Sequence, residues 1–404
     1  MEQGIIENGT DCHYWQAPKI LKAMTLKADK TERPTEKWIV KMGDILSERV
    51  YYWRSFYDHF NISVHYITEE GSPENIAQAI AFDMDKNGVL VGKQRSELSP
   101  IHLFDIGFHP KHIMFIWNKD YFDYFKVNHD RIEKFVICGY PIDIFSEENV
   151  ESSLQISKAL RDKGANFIIS LFDNACSSHT PIAKGAVEML YKAFFEWLFQ
   201  DDDIGLIIKS KNNLILDSLS SVLPLLERAL GTGRCKKIED MVGYLPSGVS
   251  FGTDMTVGIG IASAIAEVAI AGQRGVHYDP ANFNGHKYYK WGYGRLIFND
   301  LGELMNTLKS YKENSNNHPR LGDWSSYADK LDSYRDGRGG ERMGNFINCL
   351  LEGFDNSKER DQAIRYAGDT YKMKWGNMVI SPCDQTIISE STPRKRAIYE
   401  KNNK

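Results

Sequence analysis

The apolar positions of this chain alternate between short runs and stripes of helical period. Residues 62–67 alternate as a half-buried strand does, and 88–91, 112–117 and 134–138 are short apolar runs. Helical patterns lie among them at 36–60, at 72–81 with Ser72 as its cap, and at 120–127. Gly139-Tyr-Pro141 is a natural break. From about residue 145 the rhythm is plainer. Helices are predicted at 150–163, 181–199 and 216–230, with strands at 166–171 and 204–209 between them. Further helices are expected at 298–312, 338–351 and 357–374, after a loop over 284–293 rich in Gly, Tyr and Trp. Residues 1–35 carry no clear period, and the charged end, 392–404, is expected to fray. Strands alternating with helices imply a parallel, doubly wound sheet, whose ligands sit at the carboxyl ends of the strands.

The stretch from Asp254 to Asp279 organises the rest. It reads as a strand over 257–261 broken by Gly258 and Gly260, a helix over 262–271, a stop at Gly272, and a strand over 274–278. The helix is apolar on every side, the mark of a buried helix, yet it carries Glu267. A buried charge without a partner is costly, so Glu267 is expected to face a cavity or a polar ligand. Ser263 and Ala264 stand at the start of that helix, with Ser263 one turn before Glu267 on the same face. Free N–H groups and the helix dipole favour a phosphate there. A phosphate at the helix start and a hydroxylated sugar at the carboxylate are what a nucleotide requires. Glycine turns and early-helix glutamates also occur for structural reasons alone.

Composition adds limits. The net charge of −5 over 404 residues gives no reason to propose nucleic acid as the partner. Six scattered cysteines without a C-x-x-C pair argue against a disulfide framework or zinc cluster and suit a reducing compartment. The opening residues lack a basic region followed by an apolar core, so no signal peptide is expected. No apolar run nears the roughly 20 residues of a spanning helix, which leaves peripheral membrane contact as the membrane role to consider. The length suits about two or three domains.

Smaller motifs each carry two readings. Asp83-Met-Asp-Lys-Asn-Gly88 opens like a calcium loop, but Gln94 stands where a bidentate Glu is needed, so a turn explains it better. Lys209 and Lys211 end a buried strand and would offset phosphate charge, or else simply mark a solvated strand end. Asp173 and Asn174, after a strand, could orient a ligand or initiate a turn. Arg338 and Arg342 share a helical face near its start, where they oppose the dipole; the compensating anion is either Asp/Glu, with Asp336 and Glu341 at hand, or a ligand phosphate. The histidines show no metal-binding spacing and read as structural, while His102, Asp105 and His109 lie in a polar loop where a catalytic base could sit.

In their order along the chain, Phe172-Asp-Asn174, Leu206-Ile-Ile-Lys-Ser-Lys211, Ser263 with Glu267 and Gly272, His277-Tyr-Asp279, Leu321-Gly-Asp-Trp324 and Asp336-Gly-Arg338 with Glu341-Arg342 resemble a family of bacterial surface-polysaccharide biosynthesis proteins of the GT-B glycosyltransferase type. The resemblance spans about residues 85–376. It implies an α/β fold of two Rossmann-like domains with C-terminal helices, the first domain reduced or incomplete. The implied division is an acceptor-side domain over 1–143, a nucleotide-sugar-binding domain over 144–376 and a tail over 377–404. Glu267 would hold the ribose hydroxyls. Ser263, Ala264, Lys209 and Lys211 would hold the donor phosphate, with Asp173, Asn174, Arg338 and Arg342 also on the donor side. Gln94, Arg95 and Ser96 would face the acceptor, and 139–141 would be the crossing. No metal or cofactor is implied, the nucleotide sugar being the donor substrate. The first part departs from the pattern, with fewer strands than the five or more usual there and no glycine loop before residue 60, which leaves the catalytic base least defined.

The expected function is therefore transfer of a sugar from a nucleotide-activated donor to a saccharide acceptor, in the cytoplasm or at the inner face of the membrane. A nucleotide-sugar epimerase and a non-catalytic scaffold of the same architecture are the alternatives.

Overall fold

A computed structural model describes residues 33–68, 72–85, 88–97, 110–122, 132–176, 181–211, 213–238, 245–356 and 358–381. The first half runs through α1 (Pro34–Phe60), β1 (Val64–Ile67), α2 (Pro73–Asp85), β2 (Val89–Lys93), β3 (Ile113–Ile116) and β4 (Lys134–Ile137). β1 to β4 pair in parallel in chain order. The second half comprises α3 (Glu147–Arg161), β5 (Phe167–Phe172), α4 (Lys184–Gln200), β6 (Ile204–Lys209), α5 (Asn213–Asp217), α6 (Leu223–Gly231) and β7 (Cys235–Lys237). It continues with α7 (Pro246–Ser250), β8 (Met255–Ile259), α8 (Ser263–Ile270), β9 (Gly275–Tyr278), α9 (Lys287–Gly292), β10 (Ile297–Phe298) and α10 (Leu301–Glu313). The described residues close with α11 (Gly339–Asp355), α12 (Arg360–Trp375) and β11 (Val379–Ile380).

β11 pairs antiparallel with β4, Val379 opposite Val136, so that among the described residues the first sheet has five strands. Alternation of side chains divides its faces. Val89, Val91, Ile113, Phe115 and Val136 pack under α11 and α12 through Met343, Phe346, Leu350, Ile364 and Tyr371. Leu90 joins Val50, Tyr57, Ala77 and Phe82 of α1 and α2 on the other side. The last two helices thus cover the first sheet. Arg360, at the start of α12, fixes them by donating to the Gly88 carbonyl at 2.8 Å and to Asp83 Oδ1 at 2.7 Å. His112 Nε2 lies 2.9 Å from the same Asp83 oxygen, so this aspartate of the apparent calcium loop is committed to an ion-pair network.

Among the described residues the second sheet has six strands in the order β10-β9-β8-β5-β6-β7, with every pairing parallel. Chain order reverses between β5 and β8, which makes their carboxyl ends the crevice where such sheets take ligands. The all-apolar pattern of α8 now has its cause. Ile265, Ala266, Ala269 and Ile270 share a core with Met114, Ile116, Phe135 and Ile137 of the first sheet, so the helix is buried between the two halves.

Several short elements differ from the expected pattern. β7, β10 and β11 are too short to show a period. The expected 284–293 loop contains α9, capped by His286, whose side chain accepts from Tyr288 N. The helix expected from 298 starts instead at Leu301, because Phe298 pairs with Tyr278 in β10 and Asp300 caps the helix by accepting from Glu303 N at 2.7 Å.

Candidate functional site

The switch point between β5 and β8 opens into a cavity of about 240 Å³ lined by Phe172, Asp173, Asn174, Lys209, Ser210, Lys211, Pro246, Ala262, Ser263, Ala264 and Glu267. Its geometry follows from strand ends. β5 ends at Phe172 and β6 at Lys209, in register as neighbours, so the residues after each must meet. Asp173 joins them: its carboxylate accepts from Ser210 Oγ at 2.6 Å, from the Lys211 amide at 2.6 Å and from Tyr191 OH at 3.0 Å. Burial pushes the Asp173 carboxyl up, against these hydrogen bonds. Asn174 Oδ1 accepts from Lys211 Nζ at 2.9 Å. Asp173 is spent on holding the two strand ends together, and Asn174 holds the amine of Lys211 beside the cavity.

Across from them begins α8. Gly260, at φ +73°, makes the turn out of β8; a β-carbon there would lie 2.4 Å from Ile182 Cδ1, so only glycine fits. His277 backs this turn, its Nδ1 lying 2.9 Å from the Gly260 carbonyl oxygen and its ring stacked on Tyr288. Burial pushes that imidazole down to about 4, so it is neutral and structural. Among the described residues no side chain caps the helix start after Ala262, which leaves its first N–H groups for a ligand. Gly272, at φ +74°, ends the segment, with Gln273 N bonding back to Val268 O at 3.0 Å.

Glu267 is the buried carboxylate of the cavity, 7% exposed, with Oε2 lacking a hydrogen-bond partner among the described residues. Burial pushes its carboxyl up to about 7, offset in part by the nearby Tyr140 hydroxyl and by the charge of Lys209. Tyr140 lies in the crossing between the two halves and was absent from the sequence-derived site. Nothing local in the sequence points to it, because the contact exists only once the halves are packed.

The first half also reaches the cavity mouth. The amide of Glu97, on the loop after β2, donates to Ser263 Oγ at 3.1 Å. Gln94 is buried and shapes that loop, accepting from Trp117 N and donating to the Ser96 carbonyl, both at 3.1 Å. Arg95 is exposed, and its charge, after burial, helps push the Lys211 amine down. The loop 94–97 therefore meets the start of α8, which brings Gln94, Arg95 and Ser96 near Ser263.

Arg338 and Arg342 lie elsewhere. Glu341 accepts from Arg338 Nε at 2.7 Å, and Asp336 accepts from Arg342 at 2.8 Å while the guanidinium lies 3.4 Å from the centre of the Tyr334 ring. The anions that compensate them are carboxylates at the start of α11, and neither arginine lines the cavity. His102, Asp105 and His109 lie outside the described residues.

No protein-family model matches the chain, and no curated protein matches it significantly. Solved structures do. The S. aureus MnaA–UDP co-structure aligns over 77% of this chain and 82% of that one, with a TM-score of 0.50 and 14% identity. A UDP-GlcNAc 2-epimerase from Neisseria meningitidis bound to UDP-GlcNAc aligns over 83% and 90%, with a TM-score of 0.49 and 10% identity. A glycosyltransferase from Rickettsia africae ESF-5 aligns over 85% and 83%, with a TM-score of 0.43 and 11% identity. At these identities the likeness is one of fold. The two sheets, taken with the MnaA alignment, make this an α/β chain of two Rossmann-like domains of the GT-B type.

Proposed function

We propose that the protein binds a nucleoside-diphosphate sugar in this cavity and transfers the sugar to a saccharide hydroxyl. One observation carries the reading. A buried, half-partnered carboxylate, the amines of Lys209 and Lys211 and an uncapped helix start converge at the switch point of a parallel sheet. In this reading Glu267 accepts from a ribose hydroxyl, while Ser263, Ala264 and the helix N–H groups face the diphosphate. Breaking the sugar–phosphate bond builds negative charge on the leaving phosphate, and fixed cations and helix N–H groups aimed at it lower that barrier. Arg95 adds a third cation from the opposite half. Closure of the halves over the cavity would exclude water from the transfer. His102, Asp105 and His109 are the candidates for the base that takes the acceptor's proton.

The MnaA structure supports the substrate class through the UDP that its name carries. The sequence resemblance supports a surface-polysaccharide acceptor. We place the reaction in the cytoplasm or at the inner face of the membrane. No helix among the described residues is long and apolar enough to cross a membrane, and Cys138, Cys176, Cys235 and Cys349 are free thiols.

Product analysis with a panel of nucleotide sugars, with and without saccharide acceptors, tests this. Acceptor-dependent release of a nucleoside diphosphate is the expected result. An isomerised sugar formed without acceptor would replace transfer by epimerisation. Binding without turnover would make the protein a scaffold, and no nucleotide binding would overturn the site itself.

A further inference from the structure

A buried ion pair joins the two halves beside the cavity. Glu97, on the loop after β2, has a fully buried side chain, and that of Lys287, the first residue of α9, is only 14% exposed. The amine lies 3.0 Å from Glu97 Oε1, and the other carboxylate oxygen accepts from Tyr121 OH. Three rings surround the amine, with the centres of Tyr121, Trp291 and Tyr288 at 4.6, 5.2 and 5.7 Å. The arrangement is costly. Two charges are taken out of water, and the lysine opens a helix, where its charge meets the positive end of the dipole. Apolar side chains would close the seam at lower cost, so stability alone does not account for the pair.

What the pair holds is the adjoining backbone. The Glu97 amide donates to Ser263 Oγ at 3.1 Å, and Ser263 is both the first residue of α8 and part of the cavity lining. At the other end of the same loop Gln94 is tied to the Trp117 amide and the Ser96 carbonyl, so the loop is fixed at both ends. A hydroxyl has one hydrogen to give. With the Glu97 amide donated into its oxygen, the Ser263 hydroxyl keeps that hydrogen for a group on the cavity side. We infer that Glu97 and Lys287 are positioning residues for the phosphate end of the cavity: their ion pair seats the 94–97 loop so that its amide aims the Ser263 hydroxyl at a ligand phosphate. The inference rests on the nucleotide reading above and goes beyond it by tying phosphate binding to the register of the two halves. Neither side chain lines the cavity, so both act through Ser263.

The test is calorimetric titration of the wild type, K287M, E97Q/K287M and S263A, each below its Tm, with UDP, GDP, CDP and ADP and with the matching nucleosides. For whichever nucleotide binds, K287M is expected to weaken the diphosphate about tenfold and the nucleoside less than about twofold. The double variant E97Q/K287M leaves no charge stranded. It is expected to regain most of its Tm and yet to bind the diphosphate about tenfold more weakly than the wild type, and it carries the test if K287M does not fold. Adding S263A to that double variant is expected to cost less than about twofold more, because the pair acts through the hydroxyl that S263A removes. Diphosphate affinity that recovers together with Tm in the double variant overturns the positioning role and leaves the cavity assignment standing. Equal losses for diphosphate and nucleoside, or a full further loss on adding S263A, do the same. No binding of any nucleotide by the wild type overturns the reading on which the inference rests.

Discussion

Glu267 is where a single side chain decides most. Its folded-state carboxyl, pushed up to about 7 from an ordinary 4.5, keeps its proton across that window while the unfolded chain has lost it. The unligated protein therefore loses stability as pH rises from about 4.5 to about 7, by about 3 kcal/mol at most. Glu267→Gln removes that loss, so thermal denaturation at pH 8 is expected to show a Tm equal to or above the wild type; a large decrease would mean the carboxylate has a structural partner. Lys211 acts on the phosphates alone in this account, whereas the charge of Lys209 also bears on Glu267. Lys211→Met is expected to weaken nucleoside diphosphate binding about tenfold and to leave nucleoside binding unchanged, as titration with UDP and uridine would show. These residues were legible in the sequence because each breaks a local rule, a carboxylate in an apolar helix and cations at a buried strand end. Tyr140 breaks none, since a tyrosine in a Gly-Tyr-Pro turn is ordinary until the halves come together. Arg338 and Arg342 were ambiguous for the opposite reason: the pattern required an anion but could not say whether Asp336 and Glu341 or a phosphate would supply it.

At the scale of elements, the amphipathic stripes of α11 and α12 showed that both helices cover something without showing which sheet. A stripe of Met343, Phe346 and Leu350 fits either parallel sheet equally, and the choice is made by Arg360 and by β11 pairing with β4. This gives Asp83 a measurable weight. Burial works against its ionisation, but hydrogen bonds from His112 and Arg360 outweigh it and hold the carboxyl well below its ordinary range. A depressed folded-state value contributes stability above the unfolded value that is lost as pH falls toward the folded one. Asp83→Asn is expected to cost about 2 kcal/mol at pH 7 and to flatten the acid limb of the stability curve; an unchanged acid limb would contradict the network. The central α8 was legible as a buried helix, whereas the identity of what buries it, strands from both halves, depends on contacts far apart in the chain.

Across the whole molecule, the seam between the halves is polar as well as apolar. Glu97, fully buried, pairs with the largely buried Lys287 Nζ at 3.0 Å, and the amine lies 4.6 Å from the centre of the Tyr121 ring. Removing one member of such a pair strands the other charge. Glu97→Gln is expected to cost about 3 kcal/mol and to lower Tm, while Glu97→Gln combined with Lys287→Met recovers most of the loss; equal loss in the single and double variants would show that the pair does not couple the halves. Glu97 also carries the amide that meets Ser263, so the seam and the cavity share a residue. The two-sheet architecture was legible because alternating runs and stripes leave few ways to wind a chain, while the seam was not, because it is written in single residues of unrelated segments.

Calorimetric titration of the wild type and Glu267→Gln with nucleoside diphosphates tests the central claim most directly. The account predicts one site per chain for at least one of them, weakened about tenfold by the substitution with the fold intact. Equal affinity in the two proteins, or no binding to the wild type, would contradict it.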